Sequence, residues 1–250
     1  MSPQAREASP PRWVPVLLYH RVVPEPPQHD PFQNFVSTTD FESHLLWLRR
    51  AGFRSLPLGS LETIFAGDAQ ARVPRRSVAI TFDDGYEDNH RYAWPLLKRH
   101  GFAATIFVVT DAIGESSSFD TAVYPADPML SADQMREMSR DGITFGSHTC
   151  SHPLALTDLS EFELRREVAG SRSALEGVLD APVTQFAYPH SRQDDRVENA
   201  VASAGYRLAC GGTGKRFSRY CVTRIPVRGG GPTLAMSMAK RWIRWKARDW

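Results

Sequence analysis

Short apolar runs and amphipathic stretches take turns along this 250-residue chain. The runs at 14–19, 77–82, 103–109, 143–145, 184–188, 206–209 and 222–227 are rich in β-branched and aromatic residues and predict strands. Between them lie stretches of helical spacing. Phe41, Leu45 and Leu48 share one face of a helix predicted over 41–51, capped by Thr39 or Asp40 and stopped by Gly52. Further helices are predicted at 58–65, at 89–100 with a bend near Pro95, and at 131–140 behind Ser131. Two more follow, at 160–179, opened by a Ser160-x-x-Glu163 capping box, and at 194–204. Strands alternating with helices at this rhythm imply an α/β fold with a parallel sheet. About seven strands suggest a barrel, complete or incomplete. The proline-rich stretch 24–31 and the Ser-, Pro- and aromatic-containing stretch 111–130 read as loops, the second long enough to suggest a function.

The chain is long enough for one substantial core, and its 42% apolar and 23% charged residues are ordinary for a soluble domain. A net charge of +2 hides an asymmetry, because residues 215–250 carry ten Lys or Arg and a single acid. That lead concerns partners and not fold. Cys150, Cys210 and Cys221 are odd in number and lack zinc-ribbon spacing, which points to a reduced compartment. Residues 1–12 read as a disordered leader with no signal-peptide pattern, and no apolar run is long enough to span a bilayer. The expectation is a cytoplasmic protein whose membrane contact, if it has any, is peripheral.

Candidate chemistry gathers at two strand ends. Val78, Ile80 and Phe82 lead directly into Asp83 and Asp84, followed by Gly85. Parallel α/β folds place ligands at the carboxyl ends of strands, and two adjacent like charges there favour a bound cation. Turn and cap roles for the same pair remain open on this stretch alone. The second end is Phe145-Gly146-Ser147-His148-Thr149-Cys150-Ser151-His152-Pro153. Two histidines four apart can aim at one point, and with one carboxylate they leave coordination positions open for water and substrate. Cys150 reads as structural. Asp88 and Asp195 read as surface charges.

Thr81-Phe82-Asp83-Asp84-Gly85 and Ser147-His148-Thr149-Cys150-Ser151-His152-Pro153 resemble the first two motifs of the polysaccharide deacetylases, the NodB-homology carbohydrate esterase family. The likeness continues through Leu17-Leu18-Tyr19-His20-Arg21-Val22, Leu96-Leu97-Lys98-Arg99-His100-Gly101-Phe102 and Phe186-Ala187-Tyr188-Pro189, in order. It implies a deacetylase domain over 13–228, with the fold of a single distorted (β/α) barrel. By this resemblance Asp84, His148 and His152 bind one divalent metal ion, zinc first, with cobalt or nickel as alternatives. Asp83 is the general base. An oxyanion donor is implied at the N–H after Pro189, which is that of His190.

The chain departs from the family in two places. Ala187 stands where an arginine orienting the base is common, and no leucine-histidine motif occurs near 222–227. His20 is therefore the candidate acid, in the arrangement of exopolysaccharide deacetylases with permuted motifs; hydrogen bonding to a neighbouring strand end is its bland alternative. Tyr188, Phe119 and Tyr124 are candidates for stacking on sugar rings, with core packing the alternative for Tyr188. The implied reaction removes N-acetyl groups from N-acetylated saccharides, whether polymer, oligomer or lipid-linked. An amidase acting on a non-sugar substrate and a non-catalytic saccharide-binding module are the alternatives.

Beyond 228, Leu234, Met238, Trp242 and Trp245 fall on one helical face, with Lys240, Arg244, Lys246 and Arg248 nearby. Residues 229–250 therefore read as a basic amphipathic tail that either touches a membrane surface through 234–250 or packs on the barrel. No nucleic-acid-binding motif is present.

Overall fold

The computed structural model describes residues 14–65, 73–211, 218–228 and 234–246. The leader expected over 1–12 lies outside them, as do 229–233 and the side chains of 244–250. Strands β1 (Val16–Tyr19), β2 (Arg21–Val23) and β3 (Phe35–Ser37) precede helix α1 (Thr38–Arg50). Strand β4 (Arg54–Ser55), helix α2 (Leu61–Phe65), strand β5 (Ser77–Phe82), helix α3 (Trp94–His100) and strand β6 (Thr105–Val108) follow. Next come α4 (Ala132–Arg140), β7 (Thr144–Ser147), α5 (Glu161–Arg165), α6 (Ser171–Leu179) and β8 (Gln185–Ala187). The described chain ends with α7 (Asp195–Ser203), β9 (Leu208–Cys210), β10 (Ile225–Pro226) and α8 (Leu234–Lys246).

Seven strands pair in the order β10-β1-β5-β6-β7-β8-β9, all in parallel, and β4 adds to the start of β5. The sheet curls so far that one short segment reaches both of its edges. Val222 bridges to Cys210 beside β9, while Ile225 pairs with Leu17 of β1. The β2–β3 ribbon is a separate parallel pair that the apolar pattern did not announce.

The two faces of the sheet have different jobs. Val78, Ile80 and Phe82 point outward and join the layer of Leu45, Leu48 and Leu97 beneath the helices. Ala79 points inward, with Val16, Phe107, Ala187, Cys210 and Val222. Strand side chains alternate, so the inward series Ala79, Thr81 continues to Asp83 at the strand end. Space inside is tight: a Cβ on Gly146 would lie 2.6 Å from the Phe107 ring and 2.9 Å from the Gln185 carbonyl oxygen.

The helices depart from expectation at their ends and bends. Ser37, and neither Thr39 nor Asp40, caps α1, its side chain accepting from the Asp40 N–H at 3.0 Å. The bend expected at Pro95 is a π turn over Asn89–Ala93, which accommodates the ring and missing donor of a proline at the start of α3. A second π turn, Arg166–Gly170, divides the helix expected without a break over 160–179. Helix α8 buries Leu234 and Met238 against the barrel, while Trp242 and Ile243 are exposed. Among the described residues, no helix is long and apolar enough to cross a membrane.

Candidate active site

Asp83 and Asp84 leave the carboxyl end of β5, His148 and His152 leave that of β7, and Tyr188 to Ser191 follow β8. All of these but Pro189 line one cleft of about 560 Å³, as does His20 at the end of β1. At its floor, Asp84, His148 and His152 offer one ligand atom each, all within 4.8 Å of one another. The Nε2 atoms of both histidines lie 3.4 Å from the same oxygen, Asp84 Oδ1. Asp84 adopts φ 75°, and Gly85 beside it φ 83°, where an added Cβ would press on the Val108 backbone at 3.3 Å. That turn separates the directions of two consecutive carboxylates.

The donor set suits a metal ion. His148 Nδ1 lies 2.8 Å from the Ala187 carbonyl oxygen, which can only accept, so Nδ1 carries the hydrogen and a neutral His148 aims a lone pair at Asp84. Burial holds His152 neutral, pulling its pKa down to about 3 against the pull of Asp84. Lone pairs facing a carboxylate oxygen repel unless a cation lies between them. Burial also disfavours a charged His148, but Asp83 and Asp84 outweigh it and raise its pKa. For Asp84, burial is likewise overridden by His148, His20 and His152, and its carboxyl lies well below the usual range. Cys150 stays outside the cluster. Its buried thiol lies 3.3 Å from the Arg166 carbonyl oxygen, and burial raises its pKa.

The residue that the sequence reading missed is Arg224. Its guanidinium grips Asp83 through two bonds, Nη1 to Oδ1 at 2.6 Å and Nη2 to Oδ2 at 2.7 Å, with Nε donating to the Gly211 carbonyl oxygen at 3.2 Å. The arginine absent at position 187 is thus supplied from the seam segment beside β1. Burial works against the Asp83 charge, but Arg224 and His148 prevail and lower its pKa. The available signal was a lone arginine inside the apolar run 222–227, a position that only a buried anion makes tolerable.

The other expected residues fall as follows. His190 is exposed in the left-handed region (φ 52°), its ring edge-on to His152 at 4.8 Å between centroids. No protein acceptor takes its backbone N–H among the described residues. Tyr188 is 1% exposed and donates to the Tyr220 carbonyl oxygen at 3.0 Å, so it belongs to the core and offers no stacking face. Pro189 is buried behind it. Phe119 lies against His152 at 4.7 Å, and Tyr124 and the exposed Phe32 continue the cleft wall.

Asp88 is not a surface charge. It is buried, its Oδ2 paired with Arg21 at 2.8 Å and its Oδ1 accepting from the Val22 N–H at 3.2 Å. Arg21 itself lies over the Phe35 and Tyr86 rings and reaches Asp127 in the long loop at 2.6 Å. The turn after His20 is thereby tied to the cleft wall.

Seven parallel strands curled around an Asp-His-His cluster at their carboxyl ends define a NodB-like deacetylase barrel. The chain belongs to the polysaccharide deacetylase family, whose model matches residues 70–209. Members of this family are hydrolases of non-peptide carbon–nitrogen bonds, and the chain is one of them. It is 29% identical over 224 residues to YxkH of Bacillus subtilis (strain 168), covering 88% of this chain and 73% of that protein. It is 27% identical over 180 residues to the poly-beta-1,6-N-acetyl-D-glucosamine N-deacetylase of Staphylococcus aureus (strain NCTC 8325 / PS 47), covering 69% of this chain and 59% of that enzyme. The Streptococcus pyogenes deacetylase PplD, solved in complex with acetate, superposes with a TM-score of 0.72 at 25% identity, covering 87% of this chain and 93% of that one. IcaB from Ammonifex degensii has the same fold, with a TM-score of 0.73 at 24% identity over 91% and 95% of the two chains.

Proposed function

We propose that this chain removes N-acetyl groups from N-acetylated saccharides, polymers or oligomers of N-acetylglucosamine foremost, with Asp84, His148 and His152 holding one divalent metal ion. The observation that carries the reading is the pairing at the cleft floor. Two imidazole nitrogens and a carboxylate oxygen converge on one point, and a second carboxylate, held ionised by Arg224, stands beside them. A saccharide-binding module has no use for that second carboxylate.

When bound, a divalent ion supplies Lewis acidity, polarising the acyl oxygen and making water a better nucleophile near neutral pH. The protein residues do the rest. Asp83 accepts the proton of the attacking water, and the bidentate grip of Arg224 fixes its orientation and keeps it ionised. The unpaired His190 N–H, set by its positive φ, donates to the oxygen on which negative charge develops. His20, across the cleft, protonates the departing amine. His148 is held in one tautomer by the Ala187 carbonyl.

Acetate release from N-acetylglucosamine oligomers, measured after chelation and after adding back zinc, cobalt or nickel, tests the proposal. Release that chelation abolishes and one of these metals restores supports it. No chelator-sensitive release from any saccharide would overturn it and favour a non-sugar amide as substrate.

A further inference from the structure

The two histidines of the cluster are joined by a loop that its own backbone resists. Thr149 adopts φ 74° and His152 φ 58°, both in the left-handed region. That region costs an L-residue about 1–2 kcal/mol, and a β-branched threonine is especially ill suited to it. Two such residues within four positions must be held from outside.

Most of the hold comes from Glu167. Its Oε2 accepts the Cys150 and Ser151 N–H groups, each at 2.9 Å, and its Oε1 accepts the Ser151 hydroxyl at 2.8 Å. All three donors belong to the two residues between Thr149 and His152. Thr149 adds a local clasp, its Oγ1 accepting the His152 N–H at 3.0 Å. Glu167 is buried, and among the described residues no Lys, Arg or His forms an ion pair with it. Its charge is met by the loop's N–H and O–H groups, which is how a buried carboxylate fixes a backbone.

The helix carrying Glu167 is distorted at this position. It lies in the π turn Arg166–Gly170, and the Ser171 hydroxyl sits 2.7 Å from the Glu167 carbonyl oxygen and 3.0 Å from that of Val168. Interruptions of this kind are unfavourable in a plain helix and recur beside functional sites. Ser171 Oγ also meets Ser147 Oγ at 2.7 Å, in the residue immediately before His148. The π turn and the first residue of α6 thus touch β7's exit loop at its start, Ser147, and again at Cys150 and Ser151.

We infer that Glu167 is a positioning residue for the metal site: by holding the strained Thr149–His152 backbone, it keeps the two imidazoles converged on Asp84. The inference rests on reading Asp84, His148 and His152 as that site. It is tested on the full chain as wild type, Glu167→Ala and Glu167→Gln. Zinc affinity is measured by competition with a chromophoric chelator, alongside the melting temperature of each metal-free protein.

Glutamine is isosteric; its Oε1 can accept both N–H groups while its Nε2 donates to the Ser151 hydroxyl. The expected result is a zinc affinity about 10- to 100-fold weaker for Glu167→Ala, with most of it recovered in Glu167→Gln. Wild-type affinity in Glu167→Ala overturns the inference, even if the melting temperature falls, and so does equal weakness of the two variants. Should Glu167→Ala fail to fold, Ser151→Ala removes one of the three donors at an exposed residue. A loss of about 3- to 10-fold in affinity is then expected, and no loss overturns the inference. A wild-type chain that binds no zinc, cobalt or nickel removes the metal reading itself and this inference with it. Normal metal binding with an unaffected Glu167→Ala removes this inference alone.

Discussion

At Asp84 the backbone turns into the left-handed region, so its carboxylate meets the two histidines while that of Asp83 meets Arg224 inside the barrel. The division of labour has direct consequences. Asp83→Asn should lower acetate release about 10²- to 10⁴-fold with zinc content unchanged, as assay and metal analysis on the same preparation would show. Arg224→Met leaves a buried carboxylate without its partner, and a loss of about 3–5 kcal/mol in denaturant unfolding is expected. Arg224 lowers the Asp83 pKa, so its removal raises that pKa. The proposed base acts in its ionised form, and the acid limb of the pH–rate profile should therefore move to higher pH. The stability that this pairing contributes is present above the ordinary Asp value of about 3.9 and fades as pH falls through the lowered folded value. His20→Ala should cut turnover steeply while the chain still binds zinc; unchanged turnover would remove His20 as the acid.

At the scale of elements, the seven strands of the curled sheet were legible, and the short β2, β3 and β4 were not, because an inward–outward alternation of apolar residues is written locally only in runs of some length. The alternation even fixes which way Asp83 faces, through Ala79 and Thr81. What was not legible is whatever depends on a distant partner. Nothing near Arg224 says that it will meet Asp83, 141 positions earlier. Nothing near Asp88 says that Arg21 will bury it, and on local grounds an Asp after Tyr-Glu reads as exposed. The two π turns were hidden for another reason: their apolar spacing is close to that of an α-helix, and a single inserted residue barely alters the periodicity. Strand β7 shows the opposite case, where a small residue marks a close approach. Gly146→Ala would push a methyl group into Phe107 and the Gln185 carbonyl. An unfolding midpoint lower by several degrees is expected, a loss of about 1–3 kcal/mol.

For the molecule as a whole, the α/β alternation carried the barrel, the resemblance of the motifs to the polysaccharide deacetylases carried the reaction class, and the curl of the sheet supplied the rest of the cleft. A metal bound only by the folded chain must also stabilise it. At zinc a hundredfold above its dissociation constant, the gain is about 2.7 kcal/mol, or roughly 5–10 °C in melting temperature for a chain of this size. Thermal unfolding with and without chelator measures it, and identical midpoints would mean that no metal binds the native state. The tail helix contributes in its own way, since Leu234 and Met238 cover part of the barrel wall.

The segment from Val222 to Ile225 touches both edges of the sheet and carries, midway, the charge partner of Asp83. That arrangement couples closure of the sheet to completion of the Asp83 ion pair. Asp83 and all three candidate metal ligands lie within the first 152 residues, whereas Arg224, which grips Asp83 through two bonds, lies in the segment that closes the sheet. The segment that closes the sheet is also the one that completes the surroundings of Asp83.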